Sequence, residues 1–201
     1  MARLWIVAGP NGAGKSTLVE DFNRAGLPVS NPDELAKQIN PGNPEKAQIE
    51  AGRRALTERR AFLVAGQSFL IETTFSGRGS LQQIEEAKQA GFKTCLVVVG
   101  IKSAVTSFAR VATRVMRGGH SVPAADIERR YQRTFDNVNQ ALKQVDLAFV
   151  IDNSKRRPSL VAKIERGKVI RLSPKAPAWI LKQIPLLARH RAKERSQGLS
   201  L

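Results

Sequence analysis

The sequence predicts an α/β fold, a three-layer sandwich around a mainly parallel five-stranded sheet, and three observations carry that prediction. Short apolar or β-branched runs alternate with longer helix-patterned segments, the order that sets strands side by side with helices crossing over them. A glycine-rich loop stands between the first such strand and the first helix. The chain has 201 residues, 42% hydrophobic and 25% charged, which is enough to bury a core of its own as one soluble domain.

The elements follow in order. Leu4 to Ala8 is a first buried strand, and Ser16 to Ala25 is a helix. Leu27 to Ser30 is a short strand stopped at Asn31-Pro32-Asp33, where proline ends extension and Asp33 caps a helix starting at Glu34. Asn43 to Gly66 is a long polar-rich helical stretch, Ser68 to Phe75 a strand, and Ser80 to Ala90 a helix that ends at Gly91. After the strand Lys93 to Gly100, two helices, Ser103 to Arg117 and Ala124 to Gln144, flank the turn Gly118 to Pro123 and form a helical flap. Leu147 to Ile151 is the last core strand. Leu160 to Glu165 and Lys168 to Leu172 flank Arg166-Gly167 as a hairpin, and a helix from Ala178 to about Arg189 is interrupted at Pro185. The final Arg189 to Leu201 reads as frayed. The expected organisation is a core of residues 1–154, with a lid at about 103–144, and a basic C-terminal part over 155–201.

Charge narrows the partners. Lys and Arg number 33 against 17 Asp and Glu, a formal net charge of +16, so phosphate-bearing ligands are the leading expectation. The surplus is uneven: residues 153–201 hold 13 basic and 2 acidic side chains. The single cysteine, Cys95, lies inside an apolar run, which excludes an internal disulfide and a multi-cysteine metal site and fits a reducing cytoplasm. No apolar run approaches the roughly 18 residues of a membrane span, and the N-terminus lacks the pattern of a signal peptide.

Gly9-Pro10-Asn11-Gly12-Ala13-Gly14-Lys15-Ser16, followed by Thr17, fits G-x-x-x-x-G-K-[ST] in full and stands in the required strand-to-helix context. Its glycines let backbone N–H groups turn around a phosphate, and the helix that follows offers its positive end. Lys15 reaches the outer phosphates and Ser16 ligates Mg²⁺, so ATP with Mg²⁺ is the expected ligand. The strand-terminal Asp-Glu and LSGGQ-like start of a cassette ATPase are missing, as is the N-K-x-D of a Ras-like GTPase. What is left is a phosphate-loop (P-loop) NTPase of nucleotide-kinase architecture.

A kinase gains from a carboxylate that takes the proton of the acceptor hydroxyl near the strand ends on the loop side of the sheet. Asp33, just after the second strand, is the first candidate, and helix capping is its competing role. Glu72 ends the apolar run Phe69-Leu70-Ile71, where an acid needs Mg²⁺, water or a donor. Thr74 beside it suits acceptor oxygens. Arg110, Arg114 and Arg117 recur at helical spacing, and Arg129, Arg130 and Arg133 follow on the next helix. This is the cationic clamp that charge on a transferring phosphoryl group requires, set against the plainer role of a solvated basic face. His120, on the turn between these helices, either contacts phosphate or packs the turn. Asp152-Asn153-Ser154 either lines the adenine pocket or simply ends the last strand.

The ordered set of Gly9 to Thr17, Asn31-Pro32-Asp33, Glu72-Thr73-Thr74-Phe75-Ser76-Gly77-Arg78, Arg114 to Pro123 leading to Arg129-Arg130-Tyr131, and Asp152-Asn153-Ser154 resembles the zeta-toxin-like kinases, a branch of the P-loop kinases. The resemblance spans roughly residues 3–154, and the Gly118-Gly119-His120 turn is similar to that of a shorter, solitary branch. It implies transfer of the γ-phosphate of ATP to a hydroxyl acceptor, the 3′-hydroxyl of UDP-N-acetylglucosamine in the toxins. It also implies Asp33 as base, Glu72 and Thr74 at the acceptor, and any antitoxin as a separate chain. The competing class is a nucleic-acid-binding ATPase or polynucleotide end-processing kinase, which the basic C-terminus and Lys155-Arg156-Arg157 favour and the lone aromatic there, Trp179, disfavours.

Overall fold

The computed structural model describes residues 1–77, 79–119 and 122–198. Its strands are β1 (Arg3–Ala8), β2 (Val29–Ser30), β3 (Phe69–Thr73), β4 (Lys93–Gly100), β5 (Leu147–Asp152), β6 (Ser159–Glu165) and β7 (Lys168–Leu172). Its helices are α1 (Lys15–Arg24), α2 (Pro32–Ile39), α3 (Gln48–Val64), α4 (Gly79–Gln89), α5 (Ala104–Met116), α6 (Ala124–Ala141), α7 (Ala178–Gln183) and α8 (Pro185–Gly198), with a 3₁₀ turn at Pro44–Ala47 before α3.

All seven strands join one sheet in the order β2-β3-β1-β4-β5-β6-β7. The first five positions pair in parallel, with Ala8 beside Thr73 on one side and Val98 on the other. The expected five-stranded sheet is therefore corrected to seven. The hairpin β6–β7 continues it antiparallel, because Ala148 and Val150 register against Ile164 and Ala162 and so extend one apolar face. From Thr94 to Gly100 every residue of β4 is buried, as a strand covered on both faces must be.

Two boundaries differ from the sequence reading for local reasons. Asn31, not Asp33, is the N-cap of α2: its side chain accepts from the Asp33 N–H at 2.9 Å, and Pro32 takes the first helical position, where a missing N–H costs nothing. Beyond Pro185 the chain is not frayed but helical to Gly198. Ile180, Ile184 and Leu187 are fully enclosed in the main core, and Arg191 donates to the carbonyls of Ser173 and Pro174.

The second half of α6 is core rather than flap. Tyr131, Phe135, Val138 and Ala141 are buried with the sheet, and the Tyr131 hydroxyl donates to the Ile101 carbonyl at 2.9 Å. Val111, Val122 and Ile127 form a separate small cluster that ties α5 to the start of α6. Among the described residues no helix is long and apolar enough to cross a membrane.

Candidate active site at the phosphate loop

The loop leaves β1 at Ala8 and turns on Gly12 and Gly14, whose φ values of +69° and +84° lie in the left-handed region that glycine alone enters without strain. Gly14 is the N-cap of α1 and Lys15 its first residue, so the loop delivers its N–H groups at the positive end of a helix. Ala13 is fully buried and donates to the Pro10 carbonyl at 3.2 Å, which closes the turn. Gly9 is fixed by crowding, because a Cβ there would strike the backbone carbonyl of Val99 on β4.

Around the loop, side chains from separate elements converge. The Lys15 ammonium is buried, donates to the Pro10 carbonyl at 3.2 Å, and has its pKa pushed down by loss of solvent. The charges of Glu72 and Asp33 oppose that shift, and Arg114 adds to it. Ser16 Oγ donates to Glu72 Oε1 at 3.0 Å, and Asn31 Nδ2 donates to Glu72 Oε2 at 3.1 Å. Both oxygens of this half-buried acid are thus held, which removes the penalty a strand-end carboxylate would otherwise carry. Asp33 sits in the first turn of α2 with its side chain exposed. The site therefore unites Lys15, Ser16, Asp33, Glu72 and Arg114 from four elements, α1, α2, β3 and α5.

The other expected residues fall at varied distances from that centre. Thr74 Oγ1 shares a hydrogen bond with Ser76 Oγ at 3.0 Å, while the Thr74 carbonyl accepts from Thr134 on α6. Its neighbour Phe75, buried at a φ of +59°, is held by Asn137 Nδ2 on its carbonyl at 2.8 Å. Arg117 is the exposed C-cap of α5, Thr17 is exposed in the first turn of α1, and Arg130 lies 3.5 Å from Asp126 in an ion pair that Arg129 shares. Arg110 points the other way, under the loop, with donors on the Gly12 and Asn153 carbonyls at 3.3 and 2.8 Å. His120 and Arg78 lie outside the described residues.

Sequence reading missed three partners. The sequence marks Asn31 only as part of a turn, but its amide also orients Glu72. Arg59, more than 25 positions downstream of Ser30, donates to Ser30 Oγ at 2.9 Å and fixes the end of β2; burial lowers its pKa to about 10. Asn153 does not merely end a strand: its Nδ2 donates to the Ala13 carbonyl at 2.8 Å. None of these pairings has a spacing signal, since each joins elements brought together only by strand order.

For a nucleotide-bound Mg²⁺, Ser16 Oγ and the Glu72 carboxylate supply hard oxygen donors already in contact. Such a donor pair suits an ion that keeps phosphate oxygens and water as its other ligands. Among the described residues no group of three or more His, Cys, Asp or Glu forms a self-contained metal cage.

An uncharacterised protein of Haemophilus influenzae is 36% identical over 137 residues, 64% of this chain and 97% of that protein. The crystal structure of AvrRxo1-ORF1:-ORF2 with ATP matches 92% of the chain with a TM-score of 0.69 at 16% identity, and the chain spans 63% of that protein's length. The PezAT chromosomal toxin-antitoxin system of Streptococcus pneumoniae matches 94% of the chain, and 86% of its own, with a TM-score of 0.63 at 13% identity. At these identities the two structures share the fold. Residues 4–138, which contain the phosphate loop, both acids and the arginine-bearing helices, match the AAA domain family, and the chain belongs to it.

Proposed function

We propose that this chain is an ATP- and Mg²⁺-dependent small-molecule kinase that transfers the γ-phosphoryl group to a hydroxyl of its acceptor. The observation that carries the reading is the pair of acids, Asp33 after β2 and Glu72 on β3. They stand on one side of the phosphate loop, near enough to bear on the charge of Lys15. That side of the loop is where an acceptor hydroxyl would meet the end of a triphosphate laid over β1.

In this reading Lys15 and the loop N–H groups hold the β- and γ-phosphates, and Ser16 with Glu72 holds Mg²⁺, which neutralises charge on the phosphates. The Asp33 carboxylate accepts the acceptor's proton as its oxygen bonds to the γ-phosphorus. The bond from that phosphorus to the β-bridging oxygen breaks, ADP leaves, and the proton passes to solvent. Arg114, Arg117 and Arg130 stabilise the equatorial oxygens in the transition state, while Thr74 and His120 are assigned to binding the acceptor. The resemblance to zeta-toxin-like kinases makes UDP-N-acetylglucosamine the first acceptor to test. The toxin-antitoxin neighbour supports a separate inhibitor chain, and the buried thiol of Cys95 suits a reducing cytoplasm.

The test is ADP release by the purified protein with Mg²⁺, with and without UDP-N-acetylglucosamine, following any phosphorylated sugar nucleotide. Asp33→Asn is expected to lower kcat by about 10²–10⁴-fold and leave ATP affinity within a factor of two or so. Unchanged turnover would remove Asp33 from the mechanism. ATP binding without stimulation by any hydroxyl acceptor would refute the kinase reading.

A further inference from the structure

Three consecutive carbonyls of the phosphate loop each accept a hydrogen bond from a side chain outside it. Ser107 Oγ donates to the Asn11 carbonyl, Arg110 to that of Gly12 at 3.3 Å, and Asn153 Nδ2 to that of Ala13 at 2.8 Å. The three donors are themselves linked, because Arg110 also donates to the Asn153 carbonyl at 2.8 Å, and Ser107 and Arg110 share α5. Packing is tight at both glycines: a Cβ on Gly12 would lie 3.0 Å from Arg110 Cβ, and one on Gly14 would lie 2.5 Å from Asn153 Nδ2.

A trans peptide points its carbonyl and the following N–H in opposite directions. Carbonyls drawn toward α5 and the end of β5 therefore turn the N–H groups of the next residues to the other side of the loop. Arg110 thereby fixes the Ala13 N–H, which closes the turn on Pro10, while Ser107 and Asn153 set the orientation of the Gly12 and Gly14 N–H groups. Arg110 extends the effect, since it stands one helical turn before Arg114, whose charge acts on Lys15.

We infer that Ser107, Arg110 and Asn153 form a clamp of positioning residues that pre-aims the loop's N–H groups at phosphate before any nucleotide arrives and ties that aim to the position of α5. The inference rests on the nucleotide reading above only for its ligand. The clamp acts on the loop alone, so it favours ligands that place phosphates in the loop and is indifferent to the nucleoside. A loop aligned in advance loses less order on binding, which is the origin of the gain.

Asn153→Ala tests this in two independent ways. In the protein without nucleotide, amide hydrogen exchange across residues 9–17 is expected to speed up by about 5–10-fold, as one restraining bond of ordinary strength would give. Exchange equal to wild type would overturn the clamp. In calorimetric titrations with Mg²⁺, affinities for ATP and ADP are expected to fall about 5–10-fold while that for AMP holds. Equal losses for all three, or none, would overturn it. Should Asn153→Ala fail to fold, Ser107→Ala removes one clamp bond from a helix face and reads the same two quantities. A wild-type protein that binds none of the three nucleotides would sink the kinase reading, and the exchange result would still decide the clamp.

Discussion

Removing residues 174–201 would, on sequence alone, trim a basic tail; in the structure it takes away part of the core. Ile180, Ile184 and Leu187 are at most 1% exposed. Full burial of an Ile or Leu side chain is worth about 1.5–3 kcal/mol, so the three together supply about 5–9 kcal/mol, an upper figure because the unfolded chain already hides some apolar surface. The truncation also strips Trp179, whose ring sits so close over Gly100 that a Cβ there would be 2.8 Å from it, and whose edge meets Phe135 at 6.3 Å. The bond from Asn139 Nδ2 to the Gln183 carbonyl at 2.8 Å goes as well. Against a typical domain stability of about 5–15 kcal/mol, a loss of this size lowers the urea midpoint by at least about a third or abolishes the folded state. Equilibrium urea unfolding of the full and truncated chains, followed by far-UV circular dichroism, reads it directly. A truncated chain with an unchanged midpoint would refute the packing argument and return α7 and α8 to the status of an appendage.

Lys15→Met is expected to abolish ATP binding while raising the melting temperature of the nucleotide-free protein by about 2–4 °C, the shift for roughly 1 kcal/mol recovered from a buried cation; calorimetry with and without ATP checks both. Burial alone would raise the Asp146 carboxyl, but its bonds from the Thr94 N–H and hydroxyl at 2.9 and 3.1 Å, with Lys93 nearby, hold it low. Its contribution is therefore present above the unfolded pKa of about 4 and lost as pH falls through the lower native value. Asp146→Asn should be less stable than wild type at pH 7, with the gap closing in acid; a gap independent of pH would refute the assignment. Replacing Lys168 and Arg171 on the exposed outer strand β7 by Glu is expected to cut retention on a polyanion column without altering ATP affinity, and unaltered retention would count against this face as a nucleic-acid contact.

Features whose chemistry is local are legible in the order of the residues. The phosphate loop is one contiguous segment, so its glycines, lysine and serine are all visible in Gly9 to Ser16. The strands alternate with helices, which prescribes a parallel sheet, and β4 can be read to the residue because a strand buried on both faces is a continuous apolar run. Features that depend on strand order emerge only when the chain is folded. The hairpin could have stood free; it joins the sheet because β5 would otherwise expose an unpaired edge. Arg110 shares its helical spacing with Arg114, which suggests a common role, yet it turns beneath the loop because Gly12 and Asn153 offer it carbonyls there. Asn31 and Glu72, or Asn153 and Ala13, are separated by 41 and 140 positions. A hydrogen bond between such residues leaves no period in the sequence, and only the crossovers that fix the strand order bring donor to acceptor.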